Sequence, residues 1–288
     1  MTQKVWTESS PHMRRGRRWL RTLLIGLGLF IATTIVLALT GNPNLYPTVI
    51  LIGNFLVPIV FVAFLYDHQH ISSLSLDTVA GSFCIGGVLG LLGAAILESV
   101  VLPIATNPTH GLSLGGAFLA GLIEEASKIA AVIFLARKMP HTSQMDGLLL
   151  GGAVGMGFAA LESTGYAFTV FLLSHGHVAA SLIETVLRGL VAPFGHGVWT
   201  GILGAVVFRE STPRRFRITG LVILTYLFVS FLHGLWDGLP STIHVIISPG
   251  LPIPVTSLIL GVVGLVILTL LYRGATLQQR QQPTVTLP

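Results

Sequence analysis

Glu124, Glu125 and Lys128 interrupt a stretch from Gly111 to Ala136 that is otherwise apolar and long enough to cross a bilayer. An ionisable side chain at bilayer depth costs roughly 2.5 to 3.5 kcal/mol on insertion scales, so three of them in one span mark a candidate functional site. Lys128 lies in azimuth between the two carboxylates and is placed to hold one of them charged. Two adjacent glutamates sharing one lysine can sit in different protonation states, one serving as a base and its neighbour as structure. Which of the two is the base stays open at this level.

Other polar residues fall at the same depth. Glu162, Arg188, His196, His233 and Asp237 all lie within apolar spans, and of ten histidines only His196 and His233 are deep in one. At ~1.5 Å per residue, Glu125 is about 18 Å from its helix end at Arg137, Glu162 about 24 Å from Asp146, His196 about 20 Å from Arg209 and His233 about 23 Å from Ile218. Polar groups kept only for packing have no reason to share a level. The faces agree with the depths. Glu124 and Lys128 share a face with Ala117, Ala120, Gly121 and Ala131, while Gly151, Gly155, Phe158 and Glu162 form a second stripe. Tyr226, Ser230, His233 and Asp237 form a third, where a carboxylate at i+4 can orient an imidazole or share a ligand with it. Pro193 cannot donate to the Gly189 carbonyl, so a bend is expected just before His196, with room for water or substrate. Peptide hydrolysis at this depth needs a base for water and donors for the tetrahedral oxyanion. The glutamates suit the first role, and the histidines suit the second or serve as neutral metal ligands.

The elements that position these groups are set by composition. The chain is 52% hydrophobic and 9% charged, too little charge for a soluble domain of 288 residues, and this defines an all-α polytopic membrane bundle. Hydropathy divides it into eight transmembrane helices near the ~20 residues a span requires: Trp19 to Thr40, Leu45 to Tyr66, Val79 to Leu102, Leu112 to Ala136, Asp146 to Leu173, Leu182 to Phe208, Ile218 to Asp237 and Val255 to Tyr272. A Pro-rich lead-in (Pro249, Pro252, Pro254) precedes the last. Fourteen of the sixteen Lys and Arg residues fall on one side of this arrangement, and the other two, Lys128 and Arg188, lie inside spans. Basic loops stay cytoplasmic, so both termini are expected there, and the basic balance reads as topology rather than nucleic-acid binding. The domain organisation is a basic cytoplasmic N-terminal segment (1–18), one transmembrane domain (19–273) with its motif core at 111–238, and a polar cytoplasmic tail (274–288).

Several polar residues have simpler readings. Glu184 and Arg188, at i and i+4, can satisfy each other or join the site. Glu98 is expected at the outer interface, and Asp67, His68, His70, His141 and Asp146 as caps or solvated charges beside cytoplasmic loops. The lone cysteine, Cys84, excludes thiolate zinc clusters and reads as packing. Glycines such as Gly86, Gly90, Gly93, Gly197 and Gly201 read as helix contact surfaces.

The segments Glu124-Glu125-Ala-Ser-Lys128, Gly155-Met-Gly-Phe158-Ala-Ala-Leu-Glu162, Arg188 to His196 and His233-Gly-Leu-Trp-Asp237 together resemble the four-part pattern of the PrsW-type intramembrane proteases. These are relatives of the CAAX-prenyl-protease and bacteriocin-processing group. The resemblance covers about Gly111 to Gly238. It implies a multi-pass cell-membrane endopeptidase that cuts membrane proteins, with Glu124, Glu125, His196 and His233 catalytic and Lys128, Glu162, Arg188 and Asp237 supporting. Glu162 stands where the related group has a histidine, and Asp237 where it often has asparagine. The added carboxylates make His196, His233, Glu162 and Asp237 candidate ligands for a divalent metal such as zinc, with a metal-free glutamate mechanism as the alternative. The rival functions are a proton-coupled transporter or channel, which would spread polar groups in depth, and a non-catalytic membrane scaffold.

Overall fold

A computed structural model of the chain describes residues 17–68, 72, 74–102, 106–107, 111–141, 143–239, 245–248, 251–253 and 255–281. Most of the basic N-terminal segment, the end of the polar tail, His70, Pro249 and Pro254 lie outside the described residues. The first helix, α1 (Arg18–Thr40), turns through a 3₁₀ segment (Pro43–Leu45) into α2 (Tyr46–His68). A short α3 (Leu76–Gly81) runs through a π turn (Ser82–Gly86) into α4 (Gly87–Val101). Then come α5 (Leu114–Ala136), α6 (Gln144–Leu173), α7 (Val178–Val191), α8 (Pro193–Glu210), α9 (Gly220–Gly238) and α10 (Val255–Gln281). Two small antiparallel hairpins, Thr106–Asn107 with Gly111–Leu112 and Val245–Ser248 with Leu251–Ile253, precede α5 and α10.

Seven helical stretches among the described residues are long and apolar enough to cross a membrane: Arg18–Thr40, Pro43–His68, Leu76–Val101, Gln144–Leu173, Val178–Glu210, Gly220–Gly238 and Val255–Leu277. The 23-residue α5 stands where the fourth of the eight spans was expected, set apart by its three charges. Beyond shifts of a few residues at helix ends, the sixth and last spans differ from the sequence reading. The sixth span is two helices, α7 and α8, because Pro193 starts a new one while Ala192 N–H still bonds the Arg188 carbonyl at 2.9 Å. The last helix continues past Arg273 to Gln281.

Small residues hold the bundle together, as expected where lipid is as apolar as the side chains. The tightest pair is α6 with α8. Gly147, Gly151 and Gly155 recur every fourth residue on α6, and a Cβ at each would lie 2.3, 2.3 and 2.4 Å from the carbonyl oxygens of Gly204, Thr200 and His196. Only glycine allows that approach. The same device seats α5 on α9, where a Cβ at Gly121 would meet the Ser230 carbonyl at 2.7 Å. On the other side of α6, Gly157 packs against Gly87 and the π turn. The outer surface is apolar, with Leu39, Val100 and Leu173 turned outward. Cys84 is exposed and makes no packing core. At the ends expected to be cytoplasmic, Asp67 accepts the Trp19 N–H of α1 at 3.1 Å. His141 there is buried rather than solvated, with Nε2 2.9 Å from the last carbonyl of α5, Ala136.

Candidate active site

Helix α5 begins at Ser113, whose hydroxyl accepts the Gly116 N–H at 3.1 Å. From there Ala117, Ala120, Gly121, Glu124, Lys128 and Ala131 form a buried face, as their spacing predicts, while Phe134 points outward. Lys128 is wholly buried and every N–H of its ammonium is used. Its Nζ donates to Glu124 Oε2 at 3.0 Å, Glu125 Oε1 at 2.9 Å and His196 Nδ1 at 2.9 Å, and it lies 4.0 Å from the centre of the Phe158 ring. An ammonium can only donate, so Nδ1 of His196 is the accepting nitrogen and the ring proton sits on Nε2. That Nε2–H faces Glu162 Oε2 at 3.2 Å.

The two glutamates are not equivalent. Glu125 accepts from Lys128 and His233 Nδ1 (3.0 Å) on Oε1 and from the Thr200 hydroxyl (3.0 Å) on Oε2, with no exposed side-chain surface. Glu124 engages the ammonium with Oε2 alone. His233, donating through Nδ1, leaves Nε2 buried with no hydrogen-bond partner, 3.4 Å from Glu124 Oε2 and 3.3 Å from Asp237 Oδ2. Arg188 turns to Glu162 (2.8 Å) instead of Glu184, and stacks over the Tyr166 ring at 3.8 Å.

Side-chain exposure rises from 0% at Glu125 through 7% at Glu124, 16% at Glu162 and 23% at Arg188 to 29% at Asp237, so the centre opens past Arg188 and Asp237. The closed side is aromatic: the Trp199 ring lies 4.9 Å from His233, 5.9 Å from His196 and 5.2 Å from Trp236. A hydrogen bond from Tyr226 to the Leu122 carbonyl (2.8 Å) locks α9 to α5 at this level.

All eight residues expected from the sequence therefore meet around one point. Two features were missed there. Thr200 is one turn beyond His196 on the same face, and that spacing was a usable signal. Glu98, expected at the interface, is half-buried and within electrostatic reach of Lys128, Glu162, His233 and Asp237.

The metal-binding possibility also changes shape. Among the described residues, the group whose ligand atoms converge, all within 4.8 Å of one another, is Glu124, His196 and His233. Glu162 is instead engaged by Arg188. Glu124 Oε2 lies 3.4 Å from His233 Nε2 and 3.7 Å from His196 Nδ1. Neighbouring ligands of a tetrahedral zinc stand about 3.3 to 3.4 Å apart for bonds of ~2.0–2.1 Å. The orphaned Nε2 of His233 and this donor set fit a divalent metal.

A carboxylate and imidazole centre buried in a polytopic helical bundle, walled by indoles and open at one end, is compatible with hydrolytic chemistry inside a membrane protein. Residues 75–272 match the family described as PrsW family intramembrane metalloprotease; the match covers more than half of the chain, which belongs to that family. It is a multi-pass membrane protein and an intramembrane protease. No curated protein and no solved structure matches it.

Proposed function

We propose that this protease hydrolyses peptide bonds of membrane-anchored proteins at the centre formed by Glu124, Glu125, His196 and His233, with Glu124 as the reacting carboxylate. The observation that carries the reading is the contrast between the glutamates: Glu125 has both oxygens engaged by three donors, whereas Glu124 commits Oε2 alone. Glu124 Oε1 takes the proton of the attacking water and returns it to the leaving amide nitrogen. Glu125 fixes the His233 tautomer and holds the Lys128 ammonium in place. Arg188 stands at the opening with a buried Nε–H that has no acceptor among the described residues, and that N–H is the donor for the substrate carbonyl as it becomes an oxyanion. Glu124, His196 and His233 would hold the metal, for which zinc suits the nitrogen and oxygen donors; when bound it supplies a more acidic water and a polarised carbonyl. Asp237 Oδ2 lies 3.3 Å from His233 Nε2 and adds negative charge at the open side of the centre.

Kinship with the CAAX-prenyl-protease and bacteriocin-processing group belongs to this reading, with Glu162 anchoring Arg188 and His196 where that group carries a histidine. Both termini are taken as cytoplasmic, which turns the opening past Asp237 toward the outer face.

The test uses purified wild type, Glu124→Gln, His196→Ala and His233→Ala, each loaded with zinc and washed. Inductively coupled plasma mass spectrometry and cleavage of a model single-span substrate are read on the same samples. Near-stoichiometric zinc in wild type, lost in both histidine variants, and no cleavage by Glu124→Gln are expected. Cleavage by Glu124→Gln at the wild-type rate would remove Glu124 from the reaction.

A further inference from the structure

We propose that Lys128 is the resident cation of this centre and competes with the metal for it, so that the lysine sets metal affinity. The proposal rests on the reading of Glu124, His196 and His233 as the holding set. Its basis is a count of lone pairs. A neutral imidazole has one, and on His196 it belongs to Nδ1, where the Lys128 ammonium donates at 2.9 Å. The other nitrogen carries the proton that faces Glu162 at 3.2 Å. In this arrangement His196 has nothing to offer a metal. Glu124 Oε2 is shared as well, since the same ammonium donates to it at 3.0 Å.

Two cations cannot occupy these positions together. At about 3 Å, two like unit charges repel by several kcal/mol even at an effective dielectric near 20, and a dication doubles the effect. Loading therefore requires Lys128 to release His196. Glu125 Oε1 lies outside the metal set and can keep the displaced ammonium, because it already accepts from it at 2.9 Å. The lysine stem gives the ammonium little other choice: it packs under Gly90, where a Cβ would lie 3.5 Å from Lys128 Cγ, and against Phe158. The side chain thus keeps the buried carboxylates compensated while metal is absent and weakens metal binding when it is offered.

Full-length wild type and Lys128→Met, stripped with a chelator in detergent, are titrated with zinc against a fluorescent zinc chelator. The variant is expected to bind at least about tenfold more tightly. Equal affinities would overturn the competition while leaving the metal site standing, and zinc binding to neither protein would overturn both. Removing a buried cation can unfold the centre, so folding is followed by thermal melting. Where Lys128→Met does not fold, Glu125→Gln is compared with Glu125→Gln/Lys128→Met, a pair that loses one buried charge of each sign and keeps the holding set intact. The same tightening is expected there, and its absence overturns the proposal.

Discussion

Glu124 and Glu125 are identical side chains on consecutive residues, and their difference comes from what α8 and α9 bring to them. Thr200 and His233 reach Glu125; Glu124 faces two imidazoles across gaps of 3.4 and 3.7 Å. Thr200→Val keeps the shape of the side chain and removes one donor, leaving a buried carboxylate oxygen unpaired. Such a loss costs about 1–3 kcal/mol, which thermal or chemical unfolding in detergent will register. Under the proposed roles, cleavage by this variant is expected to fall but to persist, in contrast to Glu124→Gln, because Thr200 touches Glu125 and not Glu124. At this scale the sequence was readable wherever a charge stood in an apolar span: Glu124, Glu125, Lys128, Glu162, His196 and His233 declare themselves by cost. Thr200 costs little in a membrane helix and therefore gives no compositional signal, and the choice of Arg188 between Glu184 and Glu162 depends on how α7 packs.

Glycine spacing sets the precision of the site, because the His196 and Thr200 carbonyls are the surfaces against which α6 rests. Gly155→Val would drive a side chain into the His196 carbonyl, 2.4 Å from the position of a Cβ there. Overpacking of this kind costs about 1–3 kcal/mol, and a shift of about 1 Å at a reacting group can cost about 10²-fold in rate. Gly155→Val is expected to lower the melting temperature and to reduce cleavage by at least that factor, measured beside Gly28→Val. Gly28 has nothing within 4 Å of its Cβ position, so its variant should keep wild-type cleavage, apart from lipid contacts. The stripe of Gly151 and Gly155 and the interruption at Pro193 were legible, since periodicity and proline chemistry are local. The π turn at Ser82–Gly86 was not, because its extra residue answers to the close approach of Gly157, a contact between distant parts of the chain.

Across the whole molecule, two independent asymmetries bear on the side from which a substrate would meet the centre. Basic residues cluster at the loop after α8, where Arg214, Arg215 and Arg217 stand, and beside Arg137 at the end of α5. The exposure gradient runs the other way, toward Asp237 at the end of α9. If basic loops remain in the cytoplasm, the centre opens outward and a single-span substrate is cut in its outer half. Because Cys84 is the only cysteine, its replacement by serine gives a background for labelling. His177→Cys, in the connection between α6 and α7, should then react with a membrane-impermeant thiol reagent in intact cells. Thr212→Cys, in the basic loop, should react only after the membrane is opened. Both positions are exposed, so a failure to label reports sidedness and not burial. The reverse pattern would invert the topology and with it the face from which substrate enters, while leaving the chemistry of Glu124 untouched.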